Sequence, residues 1–309
     1  MEAKLKHRVT KAILSGWTDT ITSRRVVRNM RAIEAEHLHK ATRVLDDYAD
    51  LPYYISPVQM MWLLRSRAYK PSTFSMNAIS RMMSAHYYPE TPPYSCAGAW
   101  AAACATTYPA RWWDKQPIFI EAVVPNSVWG ITEWLAREYG ITSTPPFTSA
   151  GVAVDSIRRR AAGKPCWLLA VCDYSLQQLY VQELSRKLGV SVLWAVITAE
   201  QFAAGVAKRG TLPLPTAYEE TAKFQGVAHK DMWERIIQLP PSIHRSMKTT
   251  QAVEWVKQHG SAVGHVASVE PRRLLSEVVS TLNTAGLDFG ELNVVKDRIK
   301  SIGEHLVRL

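Results

Sequence analysis

The chain has 309 residues and a formal net charge of +10, with 37 Lys and Arg against 27 Asp and Glu. That length supports two or three small domains with a proper core, and the charge favours a polyanionic partner such as nucleic acid or an anionic surface. No apolar run reaches membrane-spanning length and the start "MEAKLKHRVTKAILSGW" is too short in apolar residues for a secretory signal, so no membrane partner is expected and a cytosolic or nucleoid-associated place is.

Residues 3 to 47 lack proline, and Val26, Met30, Ile33 and His37 recur at helical spacing with Arg24, Arg25, Arg28 and Arg31 around them. This is a basic amphipathic helix, and its arginine run fits a DNA-facing surface as well as it fits a solvated charged face. In "EHLHK", His37 and His39 stand two apart and so point to different sides of a helix, which favours a solvated surface over metal ligation. Next, "YYISPVQMMWLLRSRAYKPSTFSMNAISRMMSAHYYP" reads as two short helices, with Ser56 and Ser72 as caps and Pro57 at the first helical position. Two helices on a short turn suggest a winged-helix or helix-turn-helix unit, which would bring Arg65, Arg67, Lys70 and Arg81 toward phosphates.

From Gln116 the pattern changes. "PIFIEAVV", "CWLLAVCD" and "VSVLWAVI" read as strands, "ITSTPPF" as a strand and loop, and "SVWGITEWLAREYG", "AGVAVDSIRRRAAG" and "SLQQLYVQELSRKLG" as the helices between them. Strands alternating with helices predict a parallel sheet covered on both faces. Beyond Ala204, "RGTLPLPTAYEE" reads as a proline-rich connection, followed by helices to the end. The expected organisation is α/β: an N-terminal helical, winged-helix-like DNA-binding domain over residues 1–110, a parallel-sheet domain over 111–210, and a C-terminal linker and helical region over 211–309. Cys96, Cys104, Cys166 and Cys172 show no close CxxC pairing, so buried thiols are expected and neither a zinc site nor a disulfide framework.

The order "RWWDKQPIFIEAVVPN", then "CWLLAVCDYSLQ", then "LWAVITAEQ" resembles the Toprim region of topoisomerase VI A-subunit-like proteins, including short stand-alone relatives in bacteria, phages and plasmids. Trp113 and Gln116, the strand through Val124, the corner at Asp173, and Thr198 with Gln201 carry the resemblance, and "YYISPVQMMWLL" is similar to the family's winged-helix segment. The resemblance implies a Toprim-like sheet, duplex DNA as partner, and assembly as a homodimer or as a subunit of a protein–DNA complex. It also implies where the family's chemistry would sit. A Toprim metal site takes a glutamate and an Asp-x-Asp pair, because Mg²⁺ wants several oxygen ligands beside the phosphates. Here the glutamate position is Pro125, the acidic pair reads Asp173 and Ser175, and the position of the cleaving tyrosine is Trp62.

No catalytic residue, metal or cofactor is therefore expected, and Trp62, Pro125, Asp173 and Ser175 are vestigial positions. Glu121 stands four residues before Pro125 on its strand, about 13 Å away at strand rise, which is too far to substitute. The leading reading is an inactive topoisomerase VI A-like protein acting as a structural subunit on duplex DNA. A protein-interaction subunit of a nucleic-acid machine is the second reading. A Mg²⁺-dependent nuclease using Glu121 and Asp173, with Asp155 or Glu133, is the third. An ordinary strand-to-helix turn in an unrelated α/β protein remains the alternative for "CDYSLQ".

Overall fold

The computed structural model describes residues 35–36, 38–69, 73–87, 116–238 and 247–287. The chain divides into two compact units, one formed by Met1–Asp50 and Pro57–Tyr94, the other by Leu51–Ser56 and Ser95–Leu309. Arg24, Arg25, Arg28, Arg31, Lys70, Cys96, Cys104 and Trp113 lie outside the described residues.

In the first unit the described residues are helical: residues 38–47, α1 (Pro57–Ser66) and α2 (Thr73–Tyr87). Both helices expected from "SPVQMMWLL" and "STFSMNAIS" are present. Ala41, Val44 and Leu45, Met60 and Leu64, and Ala78, Ile79 and Met83 are buried, each set at the three-to-four-residue spacing of one helix face. Lys40 places its ammonium 4.0 Å above the Tyr69 ring, a cation–π contact that ties residues 38–47 to the turn after α1.

The second unit is built on four parallel strands, β1 (Phe119–Val123), β2 (Thr142–Thr144), β3 (Cys166–Val171) and β4 (Ser191–Val196), in the order β2-β1-β3-β4. Helix α3 (Trp129–Tyr139) joins β1 to β2, α4 (Ala150–Ala161) joins β2 to β3, and α5 (Leu176–Leu188) joins β3 to β4. β3 is a continuous apolar run because both faces of the sheet are covered, and β1 is buried at all five positions, Glu121 included. Phe119, Val123, Cys166, Leu168, Ala170 and Cys172 pack on one face against Ala153, Val154 and Ile157 of α4 and Tyr180, Val181 and Leu184 of α5. From β1 the chain steps to β2 on one side, then crosses back to β3 and continues to β4. With right-handed crossovers this puts α3 on the face opposite α4 and α5, and sets the reversal between the carboxyl ends of β1 and β3.

Past β4 come α6 (Ala199–Ala203), β5 (Arg209–Thr211), α7 (Thr216–Gln225), α8 (His229–Gln238), α9 (Met247–His259), β6 (Ala262–Gly264) and α10 (Pro271–Asn283). The stretch expected to be a bare connection therefore contains a strand and the start of a helix. β5 is three residues long and pairs antiparallel with β6, Gly210 opposite Val263. Three residues are too few to show a period of two. Its pairing with β6 also places residues on either side of position 210 in one small sheet within the second unit. Helix α10 packs against β4, burying Leu274, Val278 and Leu282 along one stripe. Among the described residues no helix is long and apolar enough to cross a membrane.

Both described cysteines are buried free thiols. Burial, reinforced by the nearby Glu121 carboxylate, pushes the Cys166 thiol up to about 12, and burial with Asp173 beside it raises Cys172 above its ordinary range. In the unfolded chain these thiols ionise at ordinary values. Their contribution to stability is thus complete below about pH 8.5 and is lost as pH rises above it, the unfolded state shedding protons first. Native-state alkylation read site by site by mass spectrometry should leave Cys166 and Cys172 unlabelled at neutral pH, and both should label on unfolding.

Candidate functional site

The crevice at a strand-order reversal is where open α/β sheets place ligands, so the carboxyl ends of β1 and β3 were the place to find chemistry. Asp173 follows β3, and Pro125 leads β1 into a single 3₁₀ turn, Asn126–Val128. The register Val123 opposite Ala170 brings the two to the same edge of the sheet. Ser175 is the N-cap of α5, its hydroxyl accepting from the Gln177 N–H at 3.3 Å. Three of the four vestigial positions are therefore set around one corner. Trp62 belongs to the first unit, on α1, half-buried, with the Arg65 guanidinium 5.4 Å from its ring centre.

The Asp173 carboxylate is engaged by the protein itself. One oxygen accepts the Val266 N–H at 2.7 Å and the other accepts the Gln177 side-chain amide at 2.9 Å, while the Gln177 carbonyl oxygen accepts the Asp173 N–H at 3.0 Å. Val266 opens the 3₁₀ turn Val266–Ser268 immediately after β6, and this turn packs against the Asn126–Val128 turn. Tyr174 forms a backbone bridge to Gly264, with hydrogen bonds of 3.0 Å in both directions. The segment Gly264–Ser268 thus fills the crevice. His265 adds its Nδ1 3.9 Å from the second Asp173 oxygen, beyond hydrogen-bond distance.

Beside this corner stands an aromatic stack. The Tyr174 ring lies on Phe202 at 4.4 Å and 17°, meets Trp255 edge-on at 5.0 Å, and its hydroxyl is 3.1 Å from His259 Nδ1. Burial, with Glu200 adding its charge, pushes the Tyr174 phenol above its ordinary value, so at neutral pH it is a hydroxyl and not a phenolate nucleophile. A Cβ on Gly264 would come within 2.8 Å of the Phe202 ring. Sequence reasoning missed residues 262–268 altogether, and that glycine in "AVGHVAS" is the signal that could have drawn attention to them.

Glu121 is the other carboxylate assigned to a metal in the nuclease reading. It sits mid-strand, in register with Leu168 and fully buried, on the face toward α4 and α5. Its oxygens accept from Thr144 Oγ1 and Arg160 at 2.8 Å each and from Thr142 Oγ1. A buried carboxylate with one cation and two hydroxyl donors is satisfied in place. Asp155 is exposed on α4, and Glu133 is on α3 across the sheet, so the four acidic residues of that reading are not brought together. Among the described residues no three His, Cys, Asp or Glu side chains gather into a metal-holding group.

No family model, curated protein or solved structure matches the chain. What the corner can do therefore has to be read from its own residues. Asp173 acts as a clasp that joins the end of β3 to the segment after β6.

Replacing Asp173 by Ala leaves the buried Val266 N–H without its acceptor, at a cost of about 1–3 kcal/mol. Hydrogen exchange at Val266 should then quicken on the order of 10- to 100-fold. Asp173→Asn keeps an acceptor oxygen and should lose less.

The arginines proposed to meet DNA are split. Of those described, Arg67 is exposed and paired with Asp47 at 2.6 Å, and Arg65 is exposed over Trp62. Arg81 is exposed on α2. Asp47 counters the charge of Arg67.

Proposed function

We propose that this chain is a non-catalytic, duplex-DNA-binding protein, an inactive relative of topoisomerase VI A-subunit-like proteins that serves as a structural subunit on DNA. The observation that carries the reading is the Asp173 clasp: the one acidic residue left at the Toprim-like corner is spent on the fold, beside Pro125 and Ser175, which offer no carboxylate. Without several oxygen ligands the corner cannot hold Mg²⁺ against a scissile phosphate. An indole at Trp62 cannot attack phosphorus. The net charge of +10 supports a polyanionic partner, and exposed Arg65 and Arg81 in the helical unit supply cations for phosphates.

Equilibrium binding of the full chain to labelled duplex, measured between about 50 and 200 mM salt, tests this. Affinity should fall with a slope of about −0.9 per phosphate contact, and no covalent adduct should form with Mg²⁺ on a denaturing gel, either for wild type or for Trp62→Tyr. Salt-independent binding or no binding would remove the DNA partner. A slow-migrating covalent band would remove the inactive reading.

The second reading, a protein-interaction subunit, is favoured by Phe224 on α7, 94 % exposed, and by Phe147 and Val152, 52 % and 63 % exposed. Duplex binding by the isolated chain separates the two.

A further inference from the structure

At the amino-terminal edge of the sheet, α4 ends in Arg158, Arg159 and Arg160, and α5 ends in Arg186 and Lys187. The two helices pack side by side, and the Arg158 guanidinium donates to the Lys187 carbonyl at 3.1 Å, so the two ends form one surface. Between them runs an open groove of about 700 Å³, lined by Arg158, Gly163, Lys164, Trp167, Gly189 and Ser191 among others.

Charge at this edge exceeds what the fold uses. Arg160 is neutralised by Glu121 and Lys187 by Glu183, each at 2.8 Å. Lys164 reaches the Gln116 carbonyl at 3.1 Å. Arg158, Arg159 and Arg186 are exposed, and among the described residues no carboxylate lies within 4.0 Å of their guanidinium groups. A helix C-terminus accommodates a cation or two against its carbonyls. Arg158, Arg159 and Arg186, three uncompensated cations on adjacent ends, repel one another, and a polyanion relieves that repulsion.

The surface suits a duplex backbone better than a single strand. Single-strand binding leans on exposed aromatic rings that stack on bases, whereas among the described residues the one aromatic side chain lining this groove is Trp167, half-buried on β3. Neighbouring helices lie about 8–10 Å apart, the rise of two to three phosphates along a strand at about 3.4 Å each.

We propose that the ends of α4 and α5 form a phosphate-binding surface for duplex DNA, with Arg158, Arg159 and Arg186 contacting the backbone. This rests on the DNA-binding reading above and adds to it a surface in the sheet-bearing unit.

The test uses the full chain, a labelled random-sequence duplex and a salt titration. Arg159→Gln with Arg186→Gln leaves the Arg158 bond to α5 in place. The pair should lower the salt slope by about 2 and weaken binding at about 50 mM salt by roughly tenfold or more. Arg159→Lys with Arg186→Lys keeps both charges and should bind as wild type does, which separates lost charge from lost fold. Wild-type affinity and slope in the Gln pair would overturn this surface while leaving the DNA reading intact. Absence of salt-dependent duplex binding in the wild type would overturn both.

Discussion

Gly130→Ala is expected to destabilise the sheet-bearing unit by about 4 kcal/mol or more, a loss comparable with the whole stability of many domains. Gly130 is buried in the first turn of α3. A Cβ there would overlap the Tyr54 carbonyl oxygen and sit 2.8 Å and 3.0 Å from the Tyr54 carbonyl carbon and amide nitrogen. Those are backbone atoms, so no rotamer change relieves the clash. The Leu51–Ser56 segment is also held on both sides: the Tyr53 hydroxyl donates to the Pro271 carbonyl at 3.0 Å, Arg137 donates to the Pro52 carbonyl, and the Ser56 hydroxyl donates to the Ser127 carbonyl. Shifting it would break these bonds. Gly151→Ala, where nothing lies within 4 Å of the added carbon, should instead be neutral or gain up to about 1 kcal/mol from helix propensity. Urea denaturation of the two variants beside wild type checks the contrast, and equal stability of Gly130→Ala would mean that the Tyr54 segment can move aside.

The second large effect belongs to Arg160. Arg160→Met strips from Glu121 its one cation among the described residues, leaving a carboxylate with no exposed surface and two threonine donors, at a cost of about 3–5 kcal/mol. The guanidinium is itself about a third exposed, and solvent screening places the expectation toward the lower end of that range. Adding Glu121→Gln removes the unpaired charge and should recover a large part of the loss. A double-mutant cycle by chemical denaturation measures the coupling. Additive losses would mean that Thr142 and Thr144 satisfy Glu121 on their own.

The parallel sheet was legible because β1, β3 and β4 are largely apolar runs ended by a proline or a polar turn, with helical patterns between the strands. Helix α5 shows this plainly: Ser175 caps it and Gly189 ends it at φ 70°, and both residues stand at those places in the sequence. The vestigial corner was legible in part, since strand ends follow from strand assignments. Its partner was hidden, because Asp173 binds a backbone N–H, and every residue other than proline offers one. Likewise Arg160 lies in an arginine triplet that reads as solvated charge, and only the packing of α4 on β1 singles it out. β5 and β6 escaped because their pairing is set by contacts between distant segments and not by a local period.

The bond between Asp173 and Val266 spans 93 residues, and during synthesis that separation becomes time. At about 5–20 residues per second, roughly 5–19 s pass after Asp173 is made before Val266 exists to receive its hydrogen bond. The four strands and α5 are complete well before then. For that interval the newborn sheet stands with its carboxyl edge open, Tyr174 without its Gly264 bridge, and the corner carboxylate free to meet whatever is nearby. The Tyr53 hydroxyl waits longer still, for Pro271, across 218 residues. A stretch made long after the strands is thus the one that shuts the sheet, and a chain halted before it would carry its parallel strands with the crevice unfilled.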